Sequence, residues 1–320
     1  MHSAESLKIN SSVLKKLSDL RMVFIFIGMV ILFAILSPYF LKVQNIYAIG
    51  LTISVIGIIC IGQSLVLLTG MFDLSVGAIA GFSGMMVAIL TKAYGHYPLM
   101  LLLGLATGTF IGFVNGLLIT KGRVNALITT LAMMSIFNGA TFLISKGYAI
   151  GLNNDVFRFL GTTRIVGLPL PIVILVVLYL LFAGIMQWTV FGRYIYSLGG
   201  NKTTARLSGI NIDFIQTAVF ALSGMLSAFG GILLASRLGS AQVSAGAQYP
   251  LNSIAACVLG GISLAGGKGN ILGALVGVAI IGVLQSGLIM VDMPSYYQWM
   301  ATGLVLIVAV YFDERLNRKR

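Results

Sequence analysis

Gly192-Arg193-Tyr194-Ile195-Tyr196-Ser197-Leu198-Gly199-Gly200-Asn201-Lys202-Thr203-Thr204-Ala205-Arg206-Leu207-Ser208-Gly209-Ile210-Asn211 is a polar, basic stretch in a chain otherwise apolar enough to sit in lipid. Of the 320 residues, 58% are hydrophobic and 9% charged, and the mean hydropathy is +1.02. A soluble domain is about a quarter charged, so the regions flanking this stretch read as membrane spans. Segments of about 20 apolar residues cross a bilayer. In lipid their backbone groups can be satisfied within the segment only as helices. β-barrel alternation is absent, and the fold class is all-α, a polytopic integral membrane protein.

Ten spans are expected, at 22–38, 48–69, 74–91, 98–119, 124–145, 168–190, 214–236, 250–265, 270–290 and 296–312. The segment 250–265 is short and glycine-rich and reads as a candidate half-helix. Residues 1–21 form a basic N-terminal segment, 22–312 a single transmembrane domain, and 313–320 a basic tail. No small-residue cleavage site follows Leu36, so the first span is read as uncleaved. With the N-terminus inside, only Lys42, Lys92, Lys146, Arg158, Arg164 and Arg237 of the 20 basic residues fall outside. Lys and Arg hold loops on the cytoplasmic side. Both termini are therefore expected to be cytoplasmic, and the net charge of +12 expresses topology rather than nucleic-acid binding. The longest outer segment, 146–167, is expected to be ordered only in part.

No catalytic constellation is present. Cys60 and Cys257 lie in apolar runs and read as small core residues, and His2 and His96 are isolated. The run Gly260–Gly269 resembles a phosphate loop but has Ile262 where glycine is needed and Gly269 where Ser or Thr must follow Lys268. It reads instead as a tight inner turn. Asp73, Asp155, Asp213 and Asp292 all fall at or beyond span ends, whereas ion-coupled carriers keep ionisable groups at mid-membrane. Asp73 is read as a cap for the helix that follows it. Gly108, Gly112 and Gly116, then Gly269, Gly273 and Gly277, and Gly77 with Gly81, repeat every four residues. That spacing lets helix backbones approach closely. Leu68-Thr69-Gly70 with Gly77 and Gly81 also resembles Leu259-Gly260-Gly261 with Gly269 and Gly273, a hint of internal repetition.

Neutral hydrogen-bonding residues fall within the spans: Gln63, Ser64, Asn115, Thr129, Thr130, Asn138, Asn252, Ser253, Gln285 and Ser286. They suit an uncharged polyhydroxy solute and equally suit hydrogen bonding between helices. Gln63, Ser64, Asn115, Asn138, Asn252 and Gln285 are taken as candidate pathway residues. In the central stretch, Asn201 is a good N-cap, Lys202–Ser208 supports about two helical turns, and Gly209 is a good stop. Such a short basic helix either anchors on the membrane surface or docks into a cytoplasmic partner.

Leu68-Thr69-Gly70-Met71-Phe72-Asp73-Leu74-Ser75-Val76-Gly77, Lys121-Gly122-Arg123, Gly192-Arg193-Tyr194-Ile195-Tyr196, Gly199-Gly200-Asn201, Ala205–Asn211, Ser240-Ala241-Gln242 and Ser263–Gly269 together resemble the permease subunits of bacterial ABC importers for monosaccharides. Within that group the ribose permeases are the best match. The resemblance implies a ten-helix permease of the type II, vitamin-importer kind, placed in the bacterial inner membrane and paired with a second copy or a paralogous permease. It implies a cytoplasmic ATPase gripping Gly199, Gly200, Asn201, Ala205, Arg206, Leu207, Ser208 and Gly209, and a periplasmic sugar-binding protein on the outer face. It implies no catalysis, metal or cofactor in this chain, with ATP and Mg used by the ATPase. The sequence departs from the pattern at Met71-Phe72, usually Gly-Ile, at Lys202, usually acidic, and at Cys257, usually aliphatic. A stand-alone sugar facilitator or secondary carrier is the other reading that the neutral polar residues permit.

Overall fold

The computed structural model of the chain describes residues 11–152 and 154–318. Residues 1–10 and 319–320 of the expected cytoplasmic segments, with Lys8, Lys319 and Arg320, lie outside the described residues. The elements run α1 (Ser11–Leu36), α2 (Val43–Leu68), α3 (Val76–Tyr94), α4 (Tyr97–Thr120), α5 (Ala126–Ser145), β1 (Ile150–Gly151), α6 (Asp155–Thr162), β2 (Arg164–Ile165) and β3 (Leu168–Pro169). They continue with α7 (Leu170–Trp188), α8 (Val190–Gly200), α9 (Lys202–Leu207), α10 (Ile212–Leu238), β4 (Ser240–Ala241), α11 (Tyr249–Leu259), α12 (Ile271–Met290) and α13 (Ser295–Arg318).

Among the described residues seven helices, α2, α3, α4, α5, α7, α10 and α12, are long and apolar enough to cross a membrane. Met22–Leu36 within α1, α11 and α13 fill the other three expected positions. At 1.5 Å per residue α11 is about 16 Å long, half the hydrocarbon thickness. The 250–265 segment is thus a half-helix that ends at Leu259. α1 starts at Ser11 rather than 22, and α13 continues past 312 to Arg318, so the parts of both terminal segments that are described are helical.

Asparagine side chains start the helices that leave the polar surfaces. Asn125, Asn154, Asn201, Asn211 and Asn270 each accept a backbone N–H in the first turn of α5, α6, α9, α10 and α12. Each such cap contributes about 1 kcal/mol. α10 is the central column, packed against α2, α3 and α4. The α4 glycines make that approach possible: a methyl at Gly112 would collide with the Phe220 carbonyl oxygen, and one at Gly116 would lie 2.6 Å from Thr217 Cα. At this spacing dispersion supplies the attraction that the hydrophobic effect cannot supply within lipid.

Two findings correct the sequence reading. The described residues of segment 146–167 form ordered elements: β1 pairs antiparallel with β4, and β2 forms a hairpin with β3. α6 buries Phe157 against Tyr97, with ring centroids 5.4 Å apart. Ser236 Oγ donates to the Phe157 carbonyl at 2.6 Å and accepts from Gly161 N at 2.9 Å, tying α6 to α10. Asp73 is not at the membrane surface either. After α2 the chain turns at Gly70 and runs non-helically through residues 71–75 inside the bundle, where Asp73 and Ser75 are 0% exposed. Non-helical backbone at such depth is tolerated where protein surrounds it.

Gly112→Leu is expected to cost 1–3 kcal/mol or more by overpacking the α4–α10 crossing and to lower the unfolding midpoint of the purified protein. Gly28→Leu, where a Cβ meets nothing within 4 Å, is expected to leave the midpoint unchanged in the same thermal assay.

Candidate functional site: an exposed two-helix knob and a polar cavity at the opposite end

The stretch that opened the sequence reading is two helices. Thr189 Oγ1 accepts Gly192 N at 3.3 Å to start α8. α8 turns Gly192, Ile195 and Leu198 inward and Arg193, Tyr194 and Ser197 outward. Asn201 Oδ1 accepts Thr204 N at 3.0 Å to start α9, and Gly209, at φ 81°, ends the turn after it. The capping and the stop fall where the sequence put them. The helical character of 190–200 went unread, because its three inward residues are too few to set up a clear period. In α9 only Ala205 is buried, while Lys202 and Arg206 are exposed, Leu207 is 84% exposed, and Ser208 just after the helix is exposed too.

The knob stands on a rigid base. Gly267 N donates to the Leu68 carbonyl at 2.9 Å, and Tyr196 Oη donates to the Gly269 carbonyl at 3.0 Å. Burial raises the pKa of the Tyr196 hydroxyl, so it stays protonated and able to donate. A methyl on Gly199 would strike the Leu68 oxygen and the Gly267 nitrogen. Gly267 itself sits at φ 69°, a left-handed conformation that costs other residues 1–2 kcal/mol. The glycine-rich turn that fails as a phosphate loop is therefore the wedge on which α8 rests.

The candidate pathway residues separate into three groups. Asn115, Gln63 and Ser64 are 0% exposed inside the bundle. Asn115 Nδ2 donates to Ser75 Oγ at 2.9 Å. Asp73 accepts from Ser75 N at 2.9 Å, Ser75 Oγ at 2.5 Å and Ser223 Oγ at 2.9 Å, so one carboxylate gathers α3, α4 and α10. At the head of α3 its carboxylate accepts the backbone amide of Ser75, the N-cap residue, whose own side chain makes no cap bond. Ser64 Oγ donates to the Cys60 carbonyl at 2.6 Å and lies 3.3 Å from Cys257 Sγ. The Cys60 and Cys257 thiols are free, buried and 3.3 Å apart. Asn138 is exposed on α5, apart from the others.

Asn252 and Gln285 are brought together. They line a cavity of about 260 Å³ with Thr52, Arg237, Gln248, Tyr249, Gln298 and Trp299. It lies where α10 and α12 end and α13 begins, at the far end of the bundle from α9. The aromatic, arginine and further amide residues went unpredicted, since each stands alone in sequence and only the packing of α2, α10, α11, α12 and α13 assembles them.

Residues 45–310 match the family model described as the branched-chain amino acid transport system permease component. The chain belongs to this permease family. The permease is 41% identical over 302 residues to the ribose import permease protein RbsC of Haemophilus influenzae, covering 92% of this chain and 94% of the relative. It is 40% identical over 305 residues to RbsC of Bacillus subtilis, covering 95% and 94%. It is 39% identical over 296 residues to the L-arabinose ABC transporter permease protein AraH of Azospirillum brasilense, covering 91% and 87%. No solved structure matches it.

Removing the carboxylate of this permease strands its donors. Asp73→Ala is expected to destabilise by about 1–3 kcal/mol, the range for unsatisfied buried polar groups. Combined with Ser223→Ala, the loss should be smaller than the sum of the two single losses, because the two residues share one bond. A double-mutant cycle on thermal unfolding midpoints checks both statements.

Proposed function

We propose that this permease is the membrane subunit of an ATP-driven, binding-protein-dependent importer of a monosaccharide, ribose first, working by alternating access. The observation that carries the reading is about 40% identity to ribose import permeases across more than nine-tenths of both chains. The geometry supports it with an exposed α9 held on a rigid base. On this reading α9 and the end of α8 dock into a cytoplasmic ATPase, and the cavity end faces outward to a sugar-binding protein. The chain crosses the bacterial inner membrane with both termini cytoplasmic and pairs with a second copy or a paralogous permease. ATP and Mg are used by the ATPase, and the permease itself catalyses nothing. The ATPase moves the helices by contacting their inward-open and outward-open arrangements differently. Lys202 and Arg206 make the tip of the knob basic, so the docking surface it meets carries acidic groups. A stand-alone facilitator would leave the knob only a surface-anchoring task.

Reconstituted with its ATPase and binding protein, the permease is expected to take up ribose only with ATP. Arg206→Glu and Leu207→Asp each act at an exposed side chain, so both proteins fold. Each is expected to lose at least about tenfold of ATP-dependent uptake, equivalent to about 1.4 kcal/mol of coupling. Ribose uptake by the purified permease alone at full rate, or unchanged uptake in both variants, would refute this assignment.

A further inference from the structure

We infer that Cys60 and Cys257 form a modification site, a dithiol that a small uncharged peroxide oxidises to a disulfide stapling α2 to α11. The inference stands apart from the transport function and concerns two groups that function does not use. Cysteines in apolar runs ordinarily serve as small core residues. Here the two sulfurs are turned toward each other. Their Sγ atoms are 3.3 Å apart. Cys60 Sγ lies 3.7 Å from the Ser253 carbonyl oxygen on α11, Cys257 Sγ lies 3.7 Å from the Cys60 carbonyl oxygen on α2, and Ser64 Oγ is 3.3 Å from Cys257 Sγ. The chain contains no other cysteine, so within it each thiol can pair only with the other. A disulfide bond is about 2.05 Å long, so the sulfurs need to approach by about 1.3 Å.

Burial decides the class of oxidant. Both thiols are 0% exposed, which excludes bulky or charged reagents. The cavity at the far end of the bundle gives a small neutral one its approach. Ile56 and Asn252 line that cavity. They precede Cys60 on α2 by four residues and Cys257 on α11 by five, about 6–8 Å along either helix. Hydrogen peroxide is uncharged and little larger than water, and native-state local opening over one helical turn brings it to the sulfurs. One sulfur attacks a peroxide oxygen, the O–O bond breaks, and the thiol proton leaves with the departing hydroxide as water. The product is a sulfenic acid. The second sulfur, already in contact, attacks the first. The S–S bond forms, the S–O bond breaks, and the second thiol proton leaves with that hydroxide as another water. The two thiols together lose two electrons, and one peroxide is reduced to two waters. Contact favours the disulfide over a sulfinic acid, because the second thiol reacts within the molecule before another peroxide arrives. The bond joins residues 197 apart in sequence, and closing so long a loop restricts the unfolded chain.

The experiment uses the full-length protein in lipid nanodiscs, reduced with dithiothreitol, freed of it, and then exposed to hydrogen peroxide. The protein is unfolded in the presence of N-ethylmaleimide and digested, and its cysteine peptides are identified by mass spectrometry. The readout is the peptide rather than the intact mass, because the 14 methionines also gain oxygen from peroxide. A peptide pair joined through Cys60 and Cys257, loss of maleimide labelling at both, and recovery of labelling after a second reduction are expected. Relative to Cys60→Ser treated alike, the unfolding midpoint should rise on oxidation and fall back on reduction. Cys60→Ser should give no joined pair, and its Cys257 should be trapped by dimedone as the sulfenic acid when the protein is unfolded. Undiminished maleimide labelling after peroxide, sulfinic acid in place of the joined pair, or joining between two chains rather than within one would overturn the assignment. The same holds for a midpoint rise that persists in Cys60→Ser. If that variant does not fold, the joined pair in the unaltered chain decides the case alone.

Discussion

The contact on which the rest of the structure depends is the meeting of three backbone segments at the base of the knob. The end of α2 at Leu68–Gly70, the end of α8 at Gly199–Gly200 and the turn at Gly266–Gly267 touch with no side chain between them. Gly267 N donates to the Leu68 carbonyl at 2.9 Å, and a Cβ on Gly267 would sit 2.5 Å from Gly200 N. Side chains can adjust by changing rotamer; backbone atoms in direct contact cannot. A close-packed interior responds to displacement by moving as a unit rather than by yielding locally. A force on α9 is therefore delivered to α2 and to the 260–269 turn together.

That turn is short, and what lies beyond it explains why α11 is a half-helix. Eleven residues of regular helix join the turn to Tyr249 and Asn252 at the cavity wall, a rod about 16 Å long. Its flanks keep it straight, with α2, α12 and α13 packed around it. The preceding stretch, 240–248, is non-helical and folds back into the bundle, where Gly246 abuts the backbone of Gly77. Had α11 been long enough to cross a whole membrane, its cavity end would have emerged at the surface, and its side chains could not have formed an inner wall. A truncated helix puts one end at the junction and the other at the cavity.

The sequence made the spans legible because hydropathy over about 20 residues is a property of composition, and lipid leaves the backbone no alternative to helix. It made α9 legible because Asn201 and Gly209 act locally, through a side-chain acceptor and a left-handed φ. The Gly108–Gly112–Gly116 spacing was legible as close packing but not its partner, since nothing local says that Thr217, Phe220 and Gly224 lie opposite. Of the candidate pathway residues, Asn252 and Gln285 reach the cavity, while Gln63, Ser64 and Asn115 are buried among helices. All five are polar residues in apolar runs, and periodicity cannot distinguish a helix face that meets another helix from one that meets a void. The described part of segment 146–167 was misjudged for a related reason. Its order comes from long-range ties, Ser236 to Phe157 and Gly161 and β1 to β4, which a local reading of polar residues cannot contain.

Asp73 shows how a correct-looking premise can fail at one residue. Reading it at a span end treated the 69–75 stretch as surface, because non-helical sequence between two spans normally is. Here the stretch re-enters the bundle, and the carboxylate lies against Ser223, near the middle of α10. A carboxylate in that position is expensive unless its oxygens are satisfied. Both are: Oδ1 holds the Ser75 amide and hydroxyl, and Oδ2 holds the Ser223 hydroxyl. Satisfaction also decides what the group can do. A carboxylate that carries a proton or an ion across a membrane must face water at some stage, and Asp73, 0% exposed with every oxygen engaged, lines neither the cavity nor the surface. It draws three helices around the re-entrant stretch, and so holds in place the segment through which α2 reaches the Leu68–Gly70 junction.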